Sequence, residues 1–481
     1  MIEPANVPTS VCGPVTNDRA AAFRRCIRRA SAAVTYSGAP PSRMFAVGVG
    51  FFLLASSCVV RNASAIAAQA ASPTSAKTST SSGDASIRPF EVHVPEEAIA
   101  DLRRRINATR WPDKETVGDQ SQGVQLATIR ELARYWANEY DWRRIESRIN
   151  SFPHFLTEID GLDFHFVHVR SKHENAMPVL IAHGWPGSII EQMKLIEPLT
   201  DPTAHGGKAT DAFHVVIPSM PGYGYSGKPT TTGWGPQRVA RAYGELMTRL
   251  GYTKYVAQGG DWGAIVVDFM GVQEPKGLLA IHTNMPGVFP KGVDGAVLFG
   301  HPLPSDLTDE EKKACEQLAH SGSEGGENKF YYAFFMGTRP QTLTGLADSP
   351  IGLAAFMIDH DWKSMALISR SFAGVQEGLT RDDVLDNITH FWFTNSGVSA
   401  SRTYWEVVRS GTSFFDVKGV KIPVAVSVFP DELYEAPRSW AEKAYPRLIH
   451  YNRLPKGGHF AAWEQPELLV GELRAAFRSL R

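Results

Sequence analysis

Tyr255-Val256-Ala257-Gln258-Gly259-Gly260-Asp261-Trp262-Gly263-Ala264 is the stretch that decides the fold of this chain. A short apolar run stops at two glycines, one acid follows, and a second apolar run (Ile265, Val266, Val267, Phe269, Met270) starts at once. That order predicts a strand, a tight turn and a helix, with residue 261 at the apex. Small residues at 259 and 263 let strand and helix approach around it. The apex of such an elbow carries a nucleophile when the turn does chemistry. Here that residue is Asp261, and Gly-x-Ser-x-Gly occurs nowhere in the chain. An Asp before a helix also serves as an N-cap, so the turn alone leaves both roles open.

Further strands lie on both sides: Phe164 to Val169, Val179 to Ala182, Phe213 to Pro218 and Val424 to Val428. Helical stretches separate the later ones. Apolar strands alternating with helices predict a mostly parallel sheet covered on both faces. Upstream, Val92 and Val94 alternate with polar residues, and Pro95 opens a helix carrying Ile99, Leu102 and Ile106. A second helix is expected from Leu126 to Tyr140, with Ile129, Leu132, Ala133 and Trp136 inward.

Two turns belong with the elbow. His183-Gly184-Trp185-Pro186-Gly187-Ser188 follows an apolar strand, and the Trp185 and Trp262 N–H groups are candidates for an oxyanion hole. A plain tight turn is the alternative for that Pro- and Gly-containing segment. Near the C-terminus, Phe429-Pro430-Asp431-Glu432-Leu433 follows a strand, and Gly457-Gly458-His459 comes after one more helix and strand. Nucleophile, acid and histidine therefore arrive in the order Asp261, Glu432, His459, with Asp431 competing for the acid.

The chain has 481 residues, 43% hydrophobic and 21% charged, which excludes disordered, collagenous and coiled-coil classes. Lys plus Arg is 49 against 50 Asp plus Glu, so no basic excess points to nucleic acid. Cys12, Cys26 and Cys58 lie in the leader and Cys315 alone beyond it, which rules out a disulfide framework for the body. Arg24, Arg25, Arg28, Arg29 and Arg43 precede the apolar run Met44 to Val60, and a Ser/Thr/Ala linker follows. This reads as a targeting segment, cleaved or retained as an anchor. The other reading is an over-long start with Met44 as initiator. The protein is accordingly exported or membrane-associated, or cytoplasmic if the start is mis-assigned.

With Arg110-Trp111-Pro112, Pro218 to Ser226 and Gly457 to Glu464 added, the chain resembles the epoxide hydrolases of the α/β-hydrolase superfamily, the microsomal type most closely. The resemblance implies an α/β-hydrolase fold with a helical lid and an N-terminal extension. Its expected boundaries are 1–86 for targeting segment and linker, 87–160 for the extension, 161–289 and 413–481 for the core, and 290–412 for the lid. It implies hydrolysis of an epoxide to a vicinal diol through an ester on Asp261. In that scheme Glu432 and His459 activate water, while Tyr332 (with Tyr331 the adjacent competitor) and Tyr404 hold the epoxide oxygen. The implied partners are a small lipophilic epoxide and water, with membrane association and a homodimer also allowed. No cofactor is required, and no His/Cys cluster has metal-ligand spacing. A haloalkane dehalogenase shares the Asp nucleophile and the following Trp, and a silent ligand-binding relative shares the fold.

Overall fold

The computed structural model describes residues 85–321, 330–375 and 377–481. The expected targeting run Met44 to Val60, the leader cysteines and most of the linker lie outside the described residues. Among those described, no helix is long and apolar enough to cross a membrane.

The N-terminal part runs β1 (Arg88–Phe90), α1 (Glu96–Asn107), α2 (Leu126–Asn138), α3 (Trp142–Asn150), β2 (His154–Ile159) and β3 (Leu162–Val169). Both expected helices form and bury the expected residues. Val92 and Val94 are buried but lie past β1 rather than in a strand. Their N–H groups donate to side chains of α3, Val92 to Asn150 Oδ1 (2.9 Å) and Val94 to Glu146 Oε1 (2.6 Å), which replaces strand pairing. Asp141 caps α3 through the Arg143 N–H (2.9 Å).

The core continues with β4 (Met177–Ala182), α4 (Ile189–Thr200), β5 (Phe213–Pro218), α5 (Pro236–Arg249), β6 (Tyr255–Gly259), α6 (Trp262–Gln273) and β7 (Leu278–Thr283). Among the described residues, seven α-helices then intervene: α7 (Val293–Phe299), α8 (Asp309–His320), α9 (Tyr331–Thr338), α10 (Pro350–Ile358), α11 (Trp362–Phe372), α12 (Arg381–Phe393) and α13 (Gly397–Ser410). The chain ends in β8 (Val424–Val428), α14 (Arg438–Ala444), β9 (Leu448–Arg453), α15 (Ala461–Glu464) and α16 (Pro466–Ala476).

One sheet has the order β1-β2-β3-β5-β4-β6-β7-β8-β9. The first three strands pair antiparallel with one another and with β5, and the rest are parallel. This is the α/β-hydrolase fold, with β4, β6 and β8 buried along their whole length because helices cover both faces. From β4 the chain steps to β5 on one side, then crosses back to β6 on the other. Right-handed crossovers therefore put α4 and α5 on opposite faces, and the crevice opens at the carboxyl ends of β4 and β6.

The N-terminal helices grip α12. Tyr140 Oη and Arg144 Nη2 both donate to Asp386 Oδ1, at 2.8 and 2.6 Å, and Arg381 Nη1 donates to Glu131 Oε1 at 3.0 Å.

Candidate active site

Asp261 sits in the turn between β6 and α6 at a positive φ of 49°, which costs an ordinary residue of order 1 kcal/mol or more. The small neighbours are sterically required. A Cβ on Gly259 would meet Gly263 O at 2.1 Å, and one on Gly263 would meet Ala182 O at 2.1 Å. The capping alternative fails, since the Asp261 side chain makes no cap bond to its helix. Instead Oδ1 accepts the Trp185 N–H at 2.5 Å, and Oδ2 lies 3.3 Å from His459 Nε2.

The turn after β4 is built to make that approach. A Cβ on Gly184 would lie 2.0 Å from Asp261 Oδ1, so only glycine leaves room for the carboxylate. Asn387 of α12 pins the next residues, donating to Pro186 O (2.7 Å) and accepting the Ser188 hydroxyl (2.7 Å). His183 binds Gly184 O through Nδ1 (3.1 Å) and receives the Met220 N–H at Nε2 (3.1 Å). Burial lowers His183 to about 4, so the ring is neutral and suited to that bridging role.

His459 faces Glu432 through Nδ1 and Asp261 through Nε2. Burial opposes its charging, but the two carboxylates outweigh burial and hold its proton well above the usual imidazole range. Of the two acids after β8, Glu432 is buried and meets His459. Asp431 points outward, 60% exposed, and lies 3.4 Å from Lys363 Nζ. Glu432 is further held by its own Leu433 N–H (2.9 Å) and by Asn284 Nδ2 (3.3 Å).

Tyr332 stacks on the Trp185 ring (centroids 4.9 Å apart, planes at 19°). Tyr404 is buried, meeting the Trp262 ring edge-on at 4.6 Å and Tyr332 at 5.9 Å. Burial, with the Asp261 charge nearby, pushes both phenols well above their usual range, so both are protonated donors near neutral pH. Tyr331 is 65% exposed and turned away from this cluster. Trp262 opens α6, and its N–H belongs to a first turn whose donors have no partner within the helix.

The structure thus gathers Asp261, His459, Glu432, Trp185, Trp262, Tyr332 and Tyr404 at one crevice. Sequence reasoning missed Gly184 as the residue making room, Asn387 as the pin and Asn284 as the amide behind the acid. Asn284 follows β7, a strand the sequence reading left unassigned. Its apolar run Leu278 to Ile281 was the available signal. Among the described residues, no group of three or more His, Cys, Asp or Glu side chains could hold a metal ion.

Residues 87–192 match the family described as the epoxide hydrolase N terminus, and residues 177–314 that of the alpha/beta hydrolase fold. Epoxide hydrolase 1 of Oryctolagus cuniculus is 34% identical over 401 residues, covering 81% of this chain and 88% of that protein. A relative from Stigmatella aurantiaca, provisionally named an epoxide hydrolase, is 49% identical over 399 residues, 82% of this chain and 86% of its own. The Aspergillus niger epoxide hydrolase structure superposes with a TM-score of 0.68 at 30% identity, covering 83% of this chain and 98% of that one. Such coverage and identity define a hydrolytic enzyme of the α/β-hydrolase fold. The chain belongs to the epoxide hydrolase family.

Proposed function

We propose that the protein opens a lipophilic epoxide to a vicinal diol in two steps. The Asp261 carboxylate attacks one ring carbon, while the Tyr332 and Tyr404 hydroxyls bond the epoxide oxygen and give the developing alkoxide a proton. The product is an alkyl ester of Asp261. Its formation removes one of the two anions that hold the proton on His459, so the imidazole gives that proton up to the tyrosinate left by ring opening and becomes a base. Oriented by Glu432, His459 then takes a proton from water, and the water oxygen adds to the ester carbonyl. The Trp185 and Trp262 N–H groups stabilise the oxyanion, and collapse releases the diol.

The single observation carrying this reading is the Asp261 carboxylate. It is aimed at the Trp185 N–H and His459, with its backbone in a strained conformation, rather than at the helix it precedes. The rings around the tyrosines, Trp185 with Phe356 and Trp262 with Phe414, support an apolar substrate. In this reading residues 290–412 form the lid, 87–160 the N-terminal extension, and 161–289 with 413–481 the core. The basic flank and apolar run of the leader support export or membrane attachment, which fractionation of cells expressing the full chain checks.

A single turnover with styrene oxide in ¹⁸O-labelled water tests the mechanism. Unlabelled diol with label entering Asp261 is expected. Label in the diol of the first turnover refutes the ester. Halide release from a bromoalkane, with no diol from the epoxide, moves the chain to dehalogenation.

A further inference from the structure

Glu191 takes no part in the steps above, yet it lies against the machinery that performs them. It occupies the first turn of α4 and is 4% exposed. Its Oε1 accepts from Gln192 Nε2, and among the described residues Oε2 has no hydrogen-bond partner. The carboxyl fills the hollow that a side chain at 187 would need. A Cβ on Gly187 would lie 1.6 Å from Glu191 Oε2 and 3.3 Å from the Phe460 ring. Phe460 follows His459 and meets it edge-on at 4.7 Å. Gly187 is therefore the residue that admits this acid beside the histidine.

Burial comes first among the influences on Glu191 and Asp261 second, and together they raise its carboxyl well above the usual range. That shift favours the protonated, neutral carboxyl. Oε1 already accepts a bond, which leaves the proton on Oε2. A buried O–H without a protein partner is destabilising unless a water completes it.

We propose that Glu191 is a positioning residue for the second step, holding the hydrolytic water for His459 through its Oε2–H. This rests on the ester mechanism. One O–H bond of the water breaks, its proton passing to His459 Nε2 while its oxygen bonds the Asp261 carbonyl carbon. The acyl–oxygen bond then breaks, and the hydroxyl proton of the tetrahedral intermediate leaves with the alkoxide. The tyrosinate left by ring opening has already taken the first His459 proton, so the proton drawn from water restores the charged His459 beside the free Asp261 carboxylate. Glu191 neither gains nor loses a proton. Its role is to fix the position of the attacking oxygen.

The test is single-turnover kinetics of the full chain with styrene oxide, following ester formation and ester decay by mass. Glu191→Met fills the same hollow without a hydrogen-bonding group, and Glu191→Gln keeps a donor. The Met variant is expected to slow ester decay about tenfold or more and formation less than about threefold, so that ester accumulates. The Gln variant is expected to keep decay within about threefold of the native enzyme. Should the Met variant not fold, Glu191→Ala replaces it, with the same expected split between the two steps. Formation and decay falling together with Tm would make Glu191 a space-filler and overturn the role, as would unchanged decay in the Met or Ala variant. If native enzyme and His459→Gln both form diol without ever carrying an ester, it is the ester mechanism that fails.

Discussion

Gly184→Ala isolates the placement of the nucleophile from its chemistry. The new Cβ would stand 2.0 Å from Asp261 Oδ1, 2.5 Å from Cγ and 2.4 Å from Cβ. Every one of those distances is inside contact, so the carboxyl must move by roughly an ångström or more, and displacements of that order in a reacting group cost about a hundredfold in rate. The 2.5 Å bond from the Trp185 N–H and the 3.3 Å approach to His459 would break together. The stability cost is that of overpacking, about 1–3 kcal/mol, small enough for the variant to fold. Gly295→Ala is the control, because a Cβ there meets nothing within 4 Å. The assay is the single-turnover rate of Asp261 ester formation, with thermal unfolding followed in parallel. A Gly184→Ala enzyme that folds and forms ester at the native rate would refute the claim that the observed carboxylate position is the reactive one.

The other predictions address the remaining groups. His459→Gln is expected to form the ester and fail to hydrolyse it, leaving the peptide containing Asp261 heavier by one substrate; turnover at the native rate would remove His459 from the second step. Tyr332→Phe is expected to slow ring opening about a hundredfold and ester hydrolysis much less. A selective effect on hydrolysis would contradict its donor role. Glu432→Gln is expected to cost about a hundredfold or more in turnover, while Asp431→Asn at the exposed neighbour stays within about twofold, and the reverse pattern would exchange the two acids. Glu464 is raised by burial to about 7 in the folded chain, so native stability is fullest below about 4.5 and falls as pH rises from there through about 7. Glu464→Gln, which keeps the acceptor for the Phe460 N–H, is therefore expected to unfold at higher urea than the native protein at pH 8, with the gap closing toward pH 4.5; a gap independent of pH would count against that titration.

Local pattern carried much of this protein. Gly259-Gly260-Asp261-Trp262-Gly263 was readable as an elbow because strand, turn and helix each follow from residues a few positions apart. The order of Asp261, Glu432 and His459 placed all three at ends of strands in one sheet. The helix over Trp142–Asn150 and the strand over Leu278–Thr283 were less legible, being short runs whose stability comes from burial rather than from a strong local period.

Residue types and order along the chain determined the fold class, the elbow and the list of chemical groups. Only the tertiary structure shows that the Asp261 side chain leaves its helix uncapped, that Tyr332 rather than Tyr331 packs on Trp185, and that Glu432 rather than Asp431 meets His459. In the two neighbour pairs adjacent residues offer the same chemistry, and the choice depends on which one the packing turns inward. The same holds for Gly184, Asn387 and Glu191. Each acts on groups that the sheet and the inserted helices bring close, and proximity created by folding leaves no periodic trace in sequence.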